Sequence, residues 1–178
     1  MWVIFAVLNP IVDSTRNVFS KKASLNVDSL VVSWVNNLIP LIFFSPALFF
    51  IELKFNNQFI TSLIVSGIIN TAAAILYHRA ISKADISVVV PMLSFTPLFL
   101  LIMSPIIIGE FPTFKGLIGI LLIVFGSYVL NIDFQKEGFL SPLKSLLKNK
   151  ATRYMLIVAF IWSISANFDK KGIESSSI

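Results

Sequence analysis

Two charged residues interrupt the apolar stretch with which this sequence begins. Asp13 and Arg16 are spaced with Asn9 and Asn17 by steps of four, three and one positions, so a helix places all four on one face. Pro10 predicts a bend in that helix. A charge within a membrane-spanning helix is costly and usually faces a cavity or a partner. Either Asp13, Arg16 and Asn17 bind a solute or a proton, or Asp13 and Arg16 only neutralise each other.

Three further polar residues lie inside later apolar stretches, and each has either a binding role or a structural role. Asn70 binds either a solute or a neighbouring helix. Ser94 and Thr96 lie close to Pro91 and Pro97, whose missing N–H groups interrupt the hydrogen bonding of a helix. The interruption either lines a cavity with hydroxyl groups or is a kink that serves packing alone.

The composition excludes a water-soluble domain. Hydrophobic residues make up 56% of the 178 residues and charged residues only 13%, against about 25% charged residues in soluble proteins. The charges stand between apolar runs, which is typical of a protein whose helices cross a membrane several times. We therefore predict an all-α integral membrane protein, a polytopic helical bundle in contact with membrane lipids.

Several kinds of chemistry are also excluded. The sequence has no cysteine and a single histidine, His78, so we predict no metal site and no cofactor. The carboxylates are scattered along the chain, which makes a membrane-embedded enzyme acting on lipids the weaker alternative. The net charge of +5 suits an anionic lipid surface, and the sequence offers no basic arm for a nucleic acid.

Six apolar stretches approach or reach the length of a membrane helix. They cover residues 2–20, 29–51, 59–77, 86–108, 115–130 and 154–168. Asp28 precedes the second stretch and is expected to cap its helix. Residues 134–153 combine leucines at helical spacing with lysines, which predicts an amphipathic linker helix on the membrane surface. Gly116, Gly119 and Gly126 lie near one face of the fifth stretch and predict packing against another helix.

An internal repeat connects the first apolar stretch with the sixth. The sequence FSKKA at residues 19–23 matches FDKKG at residues 168–172. The second copy follows five stretches and a linker. An odd number of helices per repeat gives the two repeats opposite orientations in the membrane. Inverted repeats of this kind are typical of secondary transporters, whose binding site lies near the midplane where the repeats meet.

The region from residue 72 to residue 130 carries a more specific pattern. In this pattern a helix begins with the motif SxxxP, contains a second proline and ends in Gly-Glu. The next helix contains glycines. The residues are Tyr77, Ala80, Ser87, Pro91, Pro97, Gly109, Glu110, Gly119 and Gly126. This pattern resembles the EamA-type members of the drug/metabolite transporter superfamily. The resemblance implies a secondary transporter and not an enzyme, which moves small organic metabolites or drugs by alternating access, with coupling to a proton or a counter-transported solute.

The same resemblance implies a division of the chain. Members of the family resemble ten-helix carriers built from two inverted five-helix repeats. Residues 1–133 would be the first repeat, 134–153 the linker and 154–178 the first helix of an incomplete second repeat. The sequence is then a fragment or a natural truncation, or another chain completes the cavity, as in a homodimer. The alternative function is a half-transporter with a structural role or no transport role.

Two arguments about orientation disagree. Lysine and arginine residues concentrate in the first, third and fifth loops, which places the N-terminus outside by the positive-inside rule. The family resemblance implies a cytoplasmic N-terminus in the plasma or inner membrane. Much of the imbalance comes from the amphipathic linker, and we therefore favour the orientation of the family.

Overall fold

The computed structural model describes residues 2–50, 55–130 and 149–176 of the chain. Within these residues the structure is helical and contains no strand, which confirms the predicted all-α class. The helices are α1 (Trp2–Ala23), α2 (Ser29–Phe44), α3 (Asn57–Lys83), α4 (Ile86–Ile108), α5 (Phe114–Leu130) and α6 (Lys150–Ser176). A short 3-10 helix, Ser45–Phe49, continues α2.

Three of these helices are long and apolar enough to cross a membrane. α3, α4 and α6 have 27, 23 and 27 residues and mean hydropathies of 2.0, 2.3 and 1.2. At a rise of about 1.5 Å per residue, each exceeds the roughly 30 Å of a hydrocarbon core. α2 and α5 are apolar as well but shorter. The chain is therefore a multi-pass membrane protein.

Local signals fix where several helices begin and end. The carboxylate of Asp28 accepts the N–H of Leu30 at 2.7 Å and caps α2, as predicted. The side chain of Asn56 accepts the N–H of Phe59 at 2.7 Å and caps α3 in the same way. Gly109 ends α4 with a φ of 74°, a left-handed conformation that glycine adopts without strain from a Cβ atom.

The prolines change the middle of α4 without ending it. The segment Val90–Phe95 is a 3-10 helix between two α-helical parts. Pro97 has no N–H to offer the carbonyl of Leu93, and that carbonyl accepts the N–H of Thr96 instead. Pro91 lies within the 3-10 segment. α4 therefore remains one continuous helical element despite its internal prolines.

α6 is the central helix of the described bundle. In its most apolar window 44% of the residues are buried, against 17% for α3 and 11% for α4. α6 packs along α3 and along α4. The shared core consists of small and aliphatic side chains around one tyrosine: Ala73, Tyr77, Ala80, Ile81, Val89, Met92, Ala151, Met155 and Val158.

Contacts along α6 show how the helices are oriented. Along α6, Trp162 contacts Tyr77 of α3, Ser165 contacts Ser66 of α3, and Ser175 contacts Asn56, which caps the start of α3. α6 therefore runs antiparallel to α3. It runs parallel to α4, because Phe160 lies beside Phe99 and Lys170 beside Glu110.

The division into repeats and linker stays a prediction. α6 begins at Lys150, inside the range 134–153 assigned to the amphipathic linker. Residues 131–148, and with them most of that linker, lie outside the described residues.

Candidate functional site

A network of polar side chains crosses the interface between α3 and α6. The Asn70 amide nitrogen donates to Ser66 Oγ at 3.1 Å and to Ser165 Oγ at 2.6 Å. Ser66 Oγ and Ser165 Oγ are 3.0 Å apart. Ser66 Oγ donates to Asp169 Oδ1, and Ser165 Oγ donates to Asp169 Oδ2 at 3.3 Å. Four side chains from two helices thus form one hydrogen-bonded group.

The network begins deep in the bundle and ends at an accessible carboxylate. Asn70 is equally far from the two ends of α3. Ser66 and Ser165 are buried, with 6% and 2% exposure, whereas Asp169 is exposed. Polar groups inside membrane helices are rare and commonly mark functional sites. Asn70 is the single residue among the predicted site residues that takes part in this network.

Sequence reasoning missed Ser165 and Asp169. Ser66 was visible only as one of several small residues in an apolar stretch. Ser66 and Asn70 are four positions apart, and so are Ser165 and Asp169, so each pair lies on one face of its helix. Nothing in this spacing specifies that the two faces meet.

An ion pair connects α6 with the end of α4. Lys170 Nζ lies 2.5 Å from both carboxylate oxygens of Glu110. The same Nζ is 3.7 Å from Glu174, one turn further along α6. Lys170 and Glu110 are both partly exposed, so the pair adds little stability. Its main consequence is that the charge of Lys170 is already balanced.

A cavity of about 430 Å³ lies between α2 and α3 and reaches Asn70. Small-molecule sites commonly have volumes of about 300–1,000 Å³. The lining is mostly apolar with a few polar groups: Leu30, Ser33, Trp34, Asn37, Gly67, Asn70, Thr71, Ala74 and Ile75. Asn70 therefore borders both the cavity and the polar network.

The predicted residues of α1 differ in their contacts. Asp13 and Arg16 form an ion pair of 3.1 Å in which both side chains are about half exposed. Asn17 is buried, and its side-chain oxygen Oδ1 accepts a hydrogen bond from the hydroxyl of Tyr77 at 2.5 Å. Tyr77 also lies against Trp162 of α6, with 5.6 Å between the ring centroids. Asn17 thus contributes to helix contacts, and a binding role for Asp13 and Arg16 stays a prediction.

The bond between Asn17 and Tyr77 gives a first testable expectation. In Tyr77→Phe the buried carbonyl oxygen of Asn17 loses its donor, which is expected to lower the free energy of unfolding by about 1–3 kcal/mol. Unfolding of the purified protein in mixed micelles with increasing SDS measures this change. Tyr154→Phe is the control, since Tyr154 is less buried and the structure shows no hydrogen bond from its hydroxyl. Equal stability of the two variants would contradict a structural role for the Asn17 contact.

The predicted residues of α4 do not join the network either. Ser94 Oγ donates to the carbonyl of Pro91 at 2.6 Å, and Ser127 Oγ of α5 donates to the same carbonyl at 2.7 Å. Thr96 Oγ1 is buried and has no hydrogen-bond partner among the described residues. The hydroxyl of Ser94 therefore serves the irregular backbone, and solute binding by Ser94 and Thr96 stays a prediction.

The glycines of α5 have no packing partner within the described part of the chain. A methyl group at Gly119 or Gly126 would meet no described atom within 4 Å. At Gly116 it would meet only Thr113 and Pro112, at 3.4 and 3.8 Å, which directly precede α5. The predicted packing role of the three glycines stays a prediction.

Metal chemistry has no visible basis in the described ranges. No group of three or more histidine, cysteine or acidic side chains there comes together as a metal site.

Comparison with known proteins gives one match. The sequence pattern of the EamA-like transporter family matches residues 1–132, about three quarters of the chain. No curated protein and no solved structure matches it.

Proposed function

Since the chain belongs to the EamA-like transporter family, we propose that it is a secondary carrier of small organic metabolites or drugs that works by alternating access. The proposal includes a plasma or inner membrane location, a cytoplasmic N-terminus and coupling to a proton or a counter-transported solute. It also includes the possibility that a second copy of the chain contributes to the cavity.

The polar network between α3 and α6 is the observation that supports this function best. α6 follows the five helices matched to the family and runs antiparallel to α3. In the division of the chain that we propose, this interface joins the first repeat to the start of the second. Carriers built from inverted repeats bind their solutes at such an interface, near the middle of the membrane. Asn70 occupies the middle of α3, and the network extends from it to Ser66 of α3 and to Ser165 and Asp169 of α6.

The cavity beside Asn70 supplies the second requirement of a carrier. A solute needs a mostly apolar space with a few polar groups that fix its orientation. The side chains of Asn37 and Thr71 border the cavity together with Asn70. Among the described residues, Asn70 is the member of the network that borders this cavity, which makes Asn70 the residue to change.

A transport assay on the full chain tests the function. The purified protein is reconstituted into liposomes loaded with a mixture of amino acids, amines, nucleosides and small aromatic compounds. Efflux of each compound is followed by mass spectrometry. We expect at least one compound to leave faster than from protein-free liposomes, and Asn70→Leu to slow that efflux at least about ten-fold, because the branched apolar side chain removes both donors and fills the space.

The control is Thr61→Val on the same helix. Thr61 is exposed and donates hydrogen bonds only to backbone carbonyls of its own helix. The efflux rate of the Thr61→Val protein is therefore expected to equal that of the wild type. Efflux no faster than from protein-free liposomes for every compound would favour the half-transporter without transport role. A fusion of a reporter to the N-terminus tests the proposed orientation.

A further inference from the structure

The carboxylate of Asp169 is held by neutral donors alone. The Asn70 amide donates to both serine oxygens, and the two serine hydroxyls donate to the two oxygens of Asp169. Every hydrogen in this chain of bonds therefore points toward the carboxylate. Hydrogen bonds donated to a carboxylate stabilise its negative charge. The network therefore fixes the position of the Asp169 side chain through both of its carboxylate oxygens.

No positive charge balances Asp169 within the described residues. The ion pairs found there do not include it. On α6 the neighbouring Lys170 is bound to Glu110 of the α4 end and approaches Glu174, while Lys171 occupies the next position of the helix. α3, which packs against Asp169, has no charged residue between Asn57 and Tyr77. A carboxylate without a cationic partner among the described residues therefore remains at this interface. The serine hydroxyls fix its position, and the side chain is exposed.

The side chains around this charge offer hydrogen-bond acceptors. The two oxygens of Asp169 can each accept further hydrogen bonds, and the carbonyl oxygen of Asn70 is a third acceptor in the same group. An ammonium group has one positive charge and several N–H donors, which matches this set. A carboxylate or phosphate group of a solute would be repelled by Asp169.

From this arrangement we propose that Asp169 binds the positively charged ammonium group of the transported solute, so that the carrier selects organic amines. The proposal rests on the proposed transport function for its biological meaning. Binding of the solute itself is a separate measurement and does not require transport. In this proposal Asp169 and the side-chain oxygen of Asn70 accept hydrogen bonds from the ammonium group, and Ser66 and Ser165 position Asp169. The cavity that Asn70 also borders is the proposed space for the apolar part.

Three aromatic probes of similar size and different charge test the selectivity. Benzylammonium, benzyl alcohol and benzoate are titrated at pH 7 into the detergent-solubilised full chain, and binding is followed by calorimetry. We expect benzylammonium to bind about five-fold more tightly than the other two, since a charge pair with an exposed carboxylate contributes up to about 1 kcal/mol. Equal affinity for benzyl alcohol and benzylammonium in the wild-type protein would overturn the proposal, whatever the behaviour of any variant.

Substitutions test whether the carboxylate of Asp169 is the group that binds the ammonium. Asp169→Asn keeps the shape and is expected to weaken benzylammonium binding about five-fold, while Asp169→Glu keeps the charge and retains most of the affinity. Asp85→Asn is the matched control: Asp85 is an exposed acid at the start of α4, and its side chain makes no capping bond. Unchanged affinity in Asp169→Asn would overturn the assignment.

Liposome uptake separates this proposal from the function on which it rests. If wild-type liposomes carry benzylammonium and Asp169→Asn liposomes do not, both are supported. If the wild type carries benzyl alcohol and Asp169→Asn changes only the response of uptake to a pH gradient, Asp169 binds a proton and the amine proposal fails while the carrier stands. If no solute crosses but benzylammonium binding still depends on Asp169, the binding site stands and the transport function fails.

Discussion

Gly172→Leu is expected to separate α6 from α3 and to lower the free energy of unfolding by about 1–3 kcal/mol. Gly172 is buried, and a Cβ atom added there would lie 3.3 Å from the Cβ of Ser62 and 4.0 Å from the ring of Phe59. A single methyl group already requires Ser62 to move slightly. The branched side chain of leucine has no space at all unless the two helices move apart. Titration of the micelle-bound protein with SDS measures the loss of stability.

The same substitution at Gly67 is the control. Gly67 lies in α3, and a Cβ atom there would meet no described atom within 4 Å. Gly67→Leu is expected to leave stability unchanged or to raise it slightly, because leucine favours the helix more than glycine does. Gly172→Leu is also expected to weaken benzylammonium binding, since Asp169 lies one turn before Gly172 on α6. If Gly172→Leu were as stable as Gly67→Leu, the close packing of α3 on α6 would be wrong.

The helices themselves were predictable to a large extent from apolar length. The stretch 86–108 coincides with α4, although it contains three prolines. The ends of α3 and α6 were placed too far inward. α3 was predicted for 59–77 and continues to Lys83, and α6 begins at Lys150 and extends to Ser176. Hydropathy marks where a helix meets the membrane surface, but a helix continues into water as long as its hydrogen bonds and helix-forming residues permit.

The candidate site was much less predictable because it depends on which helices are neighbours. Asn70 and Ser165 are 95 positions apart in the chain, and nothing in either apolar stretch specifies the other. Asp169 stands beside Lys170 and Lys171 in the repeat FDKKG, which is typical of the polar end of a membrane helix. Only the packing of α6 on α3 turns it toward Ser66. A single charged residue at a helix end is therefore ambiguous until its neighbours are known.

The repeat itself becomes more informative once the contacts are known. The repeat aligns Lys21 with Lys170, and each lysine holds the end of another helix. Lys21 Nζ donates to the carbonyl oxygens of Ile81 and Ala84, at 2.7 and 2.8 Å, where α3 ends. Lys170 binds Glu110, directly after α4 ends. α3 and α4 are consecutive antiparallel helices, so the two lysines act at opposite ends of the bundle.

Lys21 is expected to be the more important of the two lysines for stability. Lys21→Met keeps the length of the side chain but leaves the carbonyls of Ile81 and Ala84 without their charged donor. The last carbonyls of a helix lack partners within the helix and carry partial negative charge. Because hydrogen bonds to a charged group contribute about 1.5–3 kcal/mol, a loss of that size in the free energy of unfolding is expected.

Lys22→Met supplies a control that removes the same charge from the adjacent position. Lys22 is exposed, so its replacement is expected to change stability by less than about 0.5 kcal/mol. High salt should reduce the difference between the variants only slightly, since the Lys21 contacts are partly buried and therefore less screened than surface charges. Equal losses in Lys21→Met and Lys22→Met would mean that net charge, and not the contact with the end of α3, carries the effect.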